Sequence, residues 1–248
     1  MTLLSLSRAV EYESYLIAQL APSEQREQLH LLNALRGELM KAPRLNPEPA
    51  LAAIRLKWWQ DALGDIRRPA HGQNHPVLLA LADSPLRDAD FLPWITARET
   101  EITARQGVAT TEAFYTYLDQ DVGHWFTLAA HDAQPLARAY GILQLLRRLP
   151  QDIARKQIIW PRDSLQQFGL TPNAVDADDT DARLHAFVKH WATTAEALIQ
   201  APPPDNAVLR RYRHVTQSWL AHIAQKEYSL TRLAPRRVLL PLTLWLNR

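Results

Sequence analysis

The sequence predicts an all-α, single-domain protein, and three observations carry that expectation. Apolar residues recur at helical spacing along almost the whole chain, while strict alternation is nearly absent. Only seven glycines occur in 248 residues, too few for a fold built on tight turns. The 17 prolines gather at apparent helix starts and in loops, where a missing N–H does little harm.

The spacing predicts helices over 8–20, 23–42, 49–67, 75–84, 88–106, 111–131, 135–156, 181–200, 205–230 and 235–246. Pro22-Ser23 opens the second of these, with Glu24 in the first turn, where the helix dipole favours an anion. The segment Pro43 to Pro47 is expected to end it. Pro69 to Asn74, which holds Gly72, reads as a loop, and Pro150 should kink or end the helix around it. Gln157 to Ala177 is the largest interruption. The roughly 70 residues beyond it could hardly build a separate core, so residues 1–248 read as one domain.

The helix from Pro49 to Ile66 carries the most information. At 100° per residue, Lys57, Gln60, Asp61 and Gly64 form a polar stripe. Leu51, Trp58, Trp59, Ala62 and Ile66 fall opposite, with Arg55 in the middle of that apolar arc. A guanidinium facing a core needs a partner. Arg55 reads either as half of an ion pair with a carboxylate on a neighbouring helix or as a charge lining a ligand cavity.

Several chemistries find no support in the residues. There is no cysteine, and neither a GxGxxG nor a GxxxxGK[ST] phosphate loop occurs. His71 with His75, and His124 with His131, suit solvated or core positions better than metal ligation. Asp176, Asp178, Asp179 and Asp181 lack the glycine of a calcium loop and read as a loop plus a helix N-cap. Asp61 and Asp65 share a helix face but lie on or beside the polar stripe, as a solvated pair would. A formal net charge of +2 points to no nucleic-acid partner. Basic residues cluster at Arg147, Arg148, Arg155 and Lys156 and again at Arg210, Arg211 and Arg213. No apolar run reaches the roughly 18 residues of a membrane span. The first 25 residues read as structured chain, and a cytoplasmic protein is expected.

Four blocks together resemble the squalene/phytoene synthase family. They are ESYLIAQLAPSEQREQLHLLNALRGEL, with Tyr15, Pro22, Arg26, Ala34 and Glu38 in matching places; NPEPALAAIRLKWWQDAL; ARETEI; and AYGILQLLRRLPQDIARKQIIWPRDSLQQFGL, through Pro161. The resemblance implies an isoprenoid-synthase-like helical bundle around a central cavity. Active members join two prenyl diphosphates head to head, with Asp-rich motifs on two helices holding diphosphate through Mg²⁺. In this sequence the first motif's aspartates fall on Met40, Lys41 and Arg44, and the second motif's on Arg148 and Asp152. Only Asp152 keeps a carboxylate, and the pattern is similar to the non-synthase branch of the family, which includes complex I assembly proteins.

What the resemblance implies is a non-catalytic binding or assembly protein that holds an anionic isoprenoid or lipid. Glu38, Lys41, Arg55, Trp59, Arg147, Arg148 and Asp152 are the expected ligand-binding residues, with no resident metal. The alternative is a divergent prenyl diphosphate transferase, which would need Mg²⁺. A protein partner is expected in an assembly role. A basic-then-apolar C-terminus, Arg232, Arg236 and Arg237 before VLLPLTLWLNR, reads as a terminal core helix or a peripheral membrane contact.

Overall fold

The computed structural model describes residues 2–45, 48–65, 75–130, 133–172, 181–200 and 206–229. Among them the chain is all-α, and the nearest approach to a strand is one parallel bridge between Gln106 and Ile158. No helix among the described residues is long and apolar enough to cross a membrane. The chain divides into two compact units, Met1–Thr103 with Thr127–His131 and Ala104–Phe126 with Asp132–Arg248.

The first unit holds α1 (Leu3–Val10), α2 (Tyr12–Gln19), α3 (Ser23–Leu45), α4 (Pro49–Gly64), α5 (Pro76–Ala82) and α6 (Leu92–Thr103). The single helix expected over 8–20 is two helices. Thr2 and Ser5 form a reciprocal capping box that starts α1 early. Glu11 then takes an extended backbone and accepts a hydrogen bond from Ser14 Oγ at 2.8 Å, so α2 begins afresh at Tyr12.

Helix α3 is the hub of this unit, in contact with α1, α2, α4, α5 and α6. Every residue from Leu29 to Met40 is buried, as a helix covered on all sides requires. Its His30 meets Ser7 of α1, Oγ to Nδ1, at 3.0 Å in a buried contact. Pro43 does not end the helix, which continues to Leu45. In a last turn the proline removes a single backbone bond and the helix stops soon after.

Helix α4 is turned relative to the expected wheel. Its buried side is Ala52, Leu56, Trp59, Ala62 and Leu63. Leu51 is 49% and Trp58 47% exposed, whereas Trp59 is 2% exposed. The helix carries apolar residues on two sides, and packing against α3 and α6 selects the Leu56 side. Lys57 and Asp61 pair at 2.7 Å on the exposed face, and Asp65 is also exposed, as expected of a solvated stripe.

The second unit holds α7 (Thr111–Leu118), a π-helical turn (Asp119–Gly123), the start of α8 (His124–Ala130), α9 (Gln134–Ala154), α10 (Arg162–Gln167), α11 (Ala182–Leu198) and α12 (Ala207–Gln225). Here α9 is the hub, touching α7, the π turn, α11 and α12. Gly141 permits the approach, since a Cβ there would lie 2.8 Å from Leu118 Cδ2. Pro150 does not end α9, which runs on to Ala154. The interruption expected over Gln157 to Ala177 contains α10, and Ser164 of that helix accepts the indole N–H of buried Trp191 at 3.1 Å. Around Trp191 stand Phe114 and Trp160, with ring centroids 5.0 and 5.2 Å away. Asp181 caps α11 as expected, its Oδ1 accepting the Arg183 backbone N–H at 2.9 Å.

Ile66, the Pro69–Asn74 loop, His71, His131, Asp176, Asp178, Asp179, the helix expected over 235–246 and the basic group Arg232, Arg236 and Arg237 lie outside the described residues.

Candidate functional site

The sequence-predicted residues fall on the hub helix of each unit. In the first unit, α3 presents Glu38, Met40, Lys41 and Arg44 along its C-terminal half. Glu38 and Met40 are buried, while Lys41 and Arg44 are half-buried. Lys41 Nζ donates to Glu38 Oε1 at 2.5 Å, a pair three residues apart on one helix face. The other carboxylate oxygen, Oε2, lies 4.0 Å from His75 Nε2. Arg44 has a buried Nε with no hydrogen-bond partner among the described residues.

His75 joins this cluster from the start of α5. Its Nδ1 accepts the Val77 backbone N–H at 3.3 Å and so caps the helix. Its ring stands edge-on to Trp59, centroids 5.0 Å apart, and Trp59 in turn meets Trp58 at 5.0 Å. Burial is the main force holding the His75 imidazole below its ordinary pKa. The Glu38 carboxylate opposes that shift, and the charges of Lys41 and Arg55 add to it. Arg55 is half-buried at the edge of the packed side of α4, with no ion-pair or hydrogen-bond partner among the described residues. An ion pair with a neighbouring helix, one of the two readings of Arg55, is thus not found among the described residues, and Glu38 and Trp59 stand against His75.

In the second unit, α9 carries Arg147, Arg148 and Asp152. Arg148 Nε donates to Asp152 Oδ2 at 2.6 Å across one helical turn, and both side chains are largely buried. Arg147 lies over the Trp219 ring of α12, its guanidinium carbon 4.1 Å from the centroid, and that ring meets His222 at 5.8 Å. Near the other end of α9, Arg138 grips Asp119 of the π turn with two bonds of 2.8 and 2.6 Å. The same guanidinium lies 4.7 Å from the Tyr115 ring centroid.

Glu38, beside the first motif's positions, and Asp152, within the second, are thus each bonded by a cation of the same helix. Among the described residues no three His, Cys, Asp or Glu side chains stand together as a metal ion would require. His75 is the residue that sequence reasoning left as a solvated or core histidine. Its signal was local, a histidine directly before a proline that opens a helix, but its meaning depends on α5 docking beside Trp59.

The family model for squalene/phytoene synthase matches residues 7–240. A Rattus norvegicus protein named NADH dehydrogenase (ubiquinone) complex I, assembly factor 6, is 27% identical over 185 residues, 68% of this chain and 54% of that relative. The chain thus spans about half the length of that curated relative. The bifunctional protein CrtB/UppS of Streptomyces coelicolor is 26% identical over 254 residues, 94% of this chain and 44% of that protein. A solved dehydrosqualene synthase in complex with ligand superposes with a TM-score of 0.75 at 17% identity, covering 98% of this chain and 94% of that one. The likeness to that structure is one of fold.

Proposed function

The chain belongs to the squalene/phytoene synthase family, and we propose that it uses this isoprenoid-synthase fold as a non-catalytic binding or assembly protein. The observation that carries the reading is that the carboxylates at or beside both motifs are bonded by cations of their own helices. Glu38 is bonded by Lys41, and Asp152 by Arg148, on their own helices. Mg²⁺ needs several hard oxygen ligands at about 2.0–2.1 Å. A carboxylate already bonded to an ammonium or guanidinium, with further cations at 44 and 55, is a poor donor set for it. The residues do not fit that metal.

The resemblance to a complex I assembly factor supports a protein partner, and the synthase fold supports a bound anionic isoprenoid or lipid. Arg55 and Lys41 in the first unit and, separately, Arg147 and Arg148 in the second are the side chains we assign to anionic ligands. A peripheral membrane contact through residues 232–248, a cytoplasmic setting and a single functional domain complete the proposal.

The competing reading is a divergent prenyl diphosphate transferase, favoured by the names of the Streptomyces relative and of the solved synthase. Purified protein with Mg²⁺ and farnesyl or geranylgeranyl diphosphate separates the two. The expected result is no diphosphate release and no coupled product, and formation of a head-to-head product would overturn the non-catalytic reading.

A further inference from the structure

Donors outnumber acceptors where α5 begins. His75 Nδ1 accepts the Val77 N–H, which places the proton of the neutral ring on Nε2. That N–H faces Glu38 Oε2 at 4.0 Å, too long for a hydrogen bond. The remaining oxygen of Glu38 is engaged by Lys41 Nζ. Arg55 stands one turn before Trp59 on α4, the residue whose ring meets His75, and has no acceptor among the described residues. Among the described residues Lys41 and Arg55 thus stand with the single Glu38 carboxylate, half-buried Arg44 follows Lys41 on α3, and a ring N–H is left over.

The chemistry that complements this arrangement is an anion rich in acceptor oxygens and lacking donors. A phosphate group meets that description, and charged donors bind it more strongly than neutral ones. The charge balance also selects among phosphates. A phosphate monoester brings up to about two negative charges at neutral pH and a prenyl diphosphate brings more, so without a metal the monoester leaves the smaller negative excess beside Arg55 and Lys41. Trp59 fixes the imidazole plane by its edge contact, and the bond from Lys41 to Glu38 keeps the ammonium from swinging to solvent.

We propose that Arg55, Lys41 and the Nε2–H of His75 form a metal-independent site for a phosphate monoester. The inference rests on the non-catalytic reading above and narrows its ligand to a monophosphate held without a divalent ion. The phosphate is carried either by a free prenyl monophosphate or by a phosphatidic acid headgroup, and the two sources share the same chemistry.

The test uses the full chain with excess chelator. Farnesyl monophosphate is titrated by calorimetry, and flotation compares phosphatidylcholine vesicles with and without phosphatidic acid. Binding of at least one phosphate monoester is expected. Response to farnesyl monophosphate alone identifies a free phosphoester, and flotation only with phosphatidic acid identifies a headgroup. Arg55→Ala and His75→Asn should each weaken that binding by roughly tenfold or more, in line with a lost charge-assisted or buried hydrogen bond. Asparagine retains an N-cap acceptor for the Val77 N–H, so His75→Asn should keep the wild-type Tm while losing the Nε2 donor. Lys57→Ala, on the exposed face of α4, should bind as wild type. The proposal is overturned if no probe binds, if binding appears only with Mg²⁺, or if His75→Asn and Arg55→Ala bind like wild type. Turnover of prenyl diphosphates with Mg²⁺ would instead overturn the non-catalytic reading, so the two failures are distinguishable.

Discussion

Arg148 and Asp152, one turn apart on α9, form a 2.6 Å hydrogen-bonded ion pair at the two positions onto which the second Asp-rich motif of the family resemblance falls. The cation sits on the same helix as the anion it neutralises. Lys41 and Glu38 repeat the arrangement on α3. Removing one partner of such a pair leaves a charge in a poorly solvated place, which is worse than removing both.

Arg148→Ala should therefore destabilise the protein by about 2–4 kcal/mol, because Asp152 stays buried without its guanidinium. The double replacement Arg148→Met with Asp152→Leu should recover much of that loss. Urea denaturation of the two variants checks the order, and a double variant less stable than Arg148→Ala would contradict it.

Gly141 is packed too closely for a branched side chain. A Cβ would meet Leu118 Cδ2 at 2.8 Å and Val122 Cγ2 at 3.4 Å. Gly141→Val should cost about 1–3 kcal/mol through overpacking, although valine is the better helix former. Thermal unfolding should show a lowered Tm, and an unchanged one would mean that α7 and the π turn move aside freely.

Acid should weaken the fold through its buried and half-buried histidines. Burial is the main cause holding His30 below its ordinary imidazole value of 6.5, with Arg26 adding to it, and burial leads for His75 and His214 as well. A base depressed in the folded state gains its proton more readily on unfolding. Stability is therefore fully present above pH 6.5 and declines as pH falls below it. Urea midpoints at pH 7.5 and 5.5 should differ in that direction, and His30→Asn should reduce the difference.

Asp61 and Asp65 should be dispensable. Asp61 pairs with Lys57 on an exposed helix face, where such pairs contribute little. The double change to alanine should alter stability by less than about 1 kcal/mol and leave phosphate binding unchanged. A large loss of binding would place these carboxylates at the ligand after all.

Much of the architecture was legible because helical periodicity is a local property. Ser23 with Glu24, the Pro49 start and the Asp181 cap all announce themselves within one turn of chain. So do the motif pairs, since residues three or four apart on a helix must share a face. The facing of α4 was not legible. Leu51, Trp58 and Trp59 are all apolar, and only packing decides which of them is covered. The break at Glu11 likewise depends on neighbours. The place of His75 in this cluster was missed for the same reason, because its closeness to Glu38 and Trp59 is a tertiary fact.

The edge contact between Trp59 and His75 makes the cluster optically readable. An excited indole is quenched by a nearby charged imidazole far more than by a neutral one, and these rings are 5.0 Å apart. Any event that adds a proton to His75, an approaching anion included, should dim Trp59 without an added label. Subtracting the emission of Trp59→Phe from that of the parent isolates this one chromophore among the eight tryptophans. The chain thus carries its own reporter at the point where its charges converge.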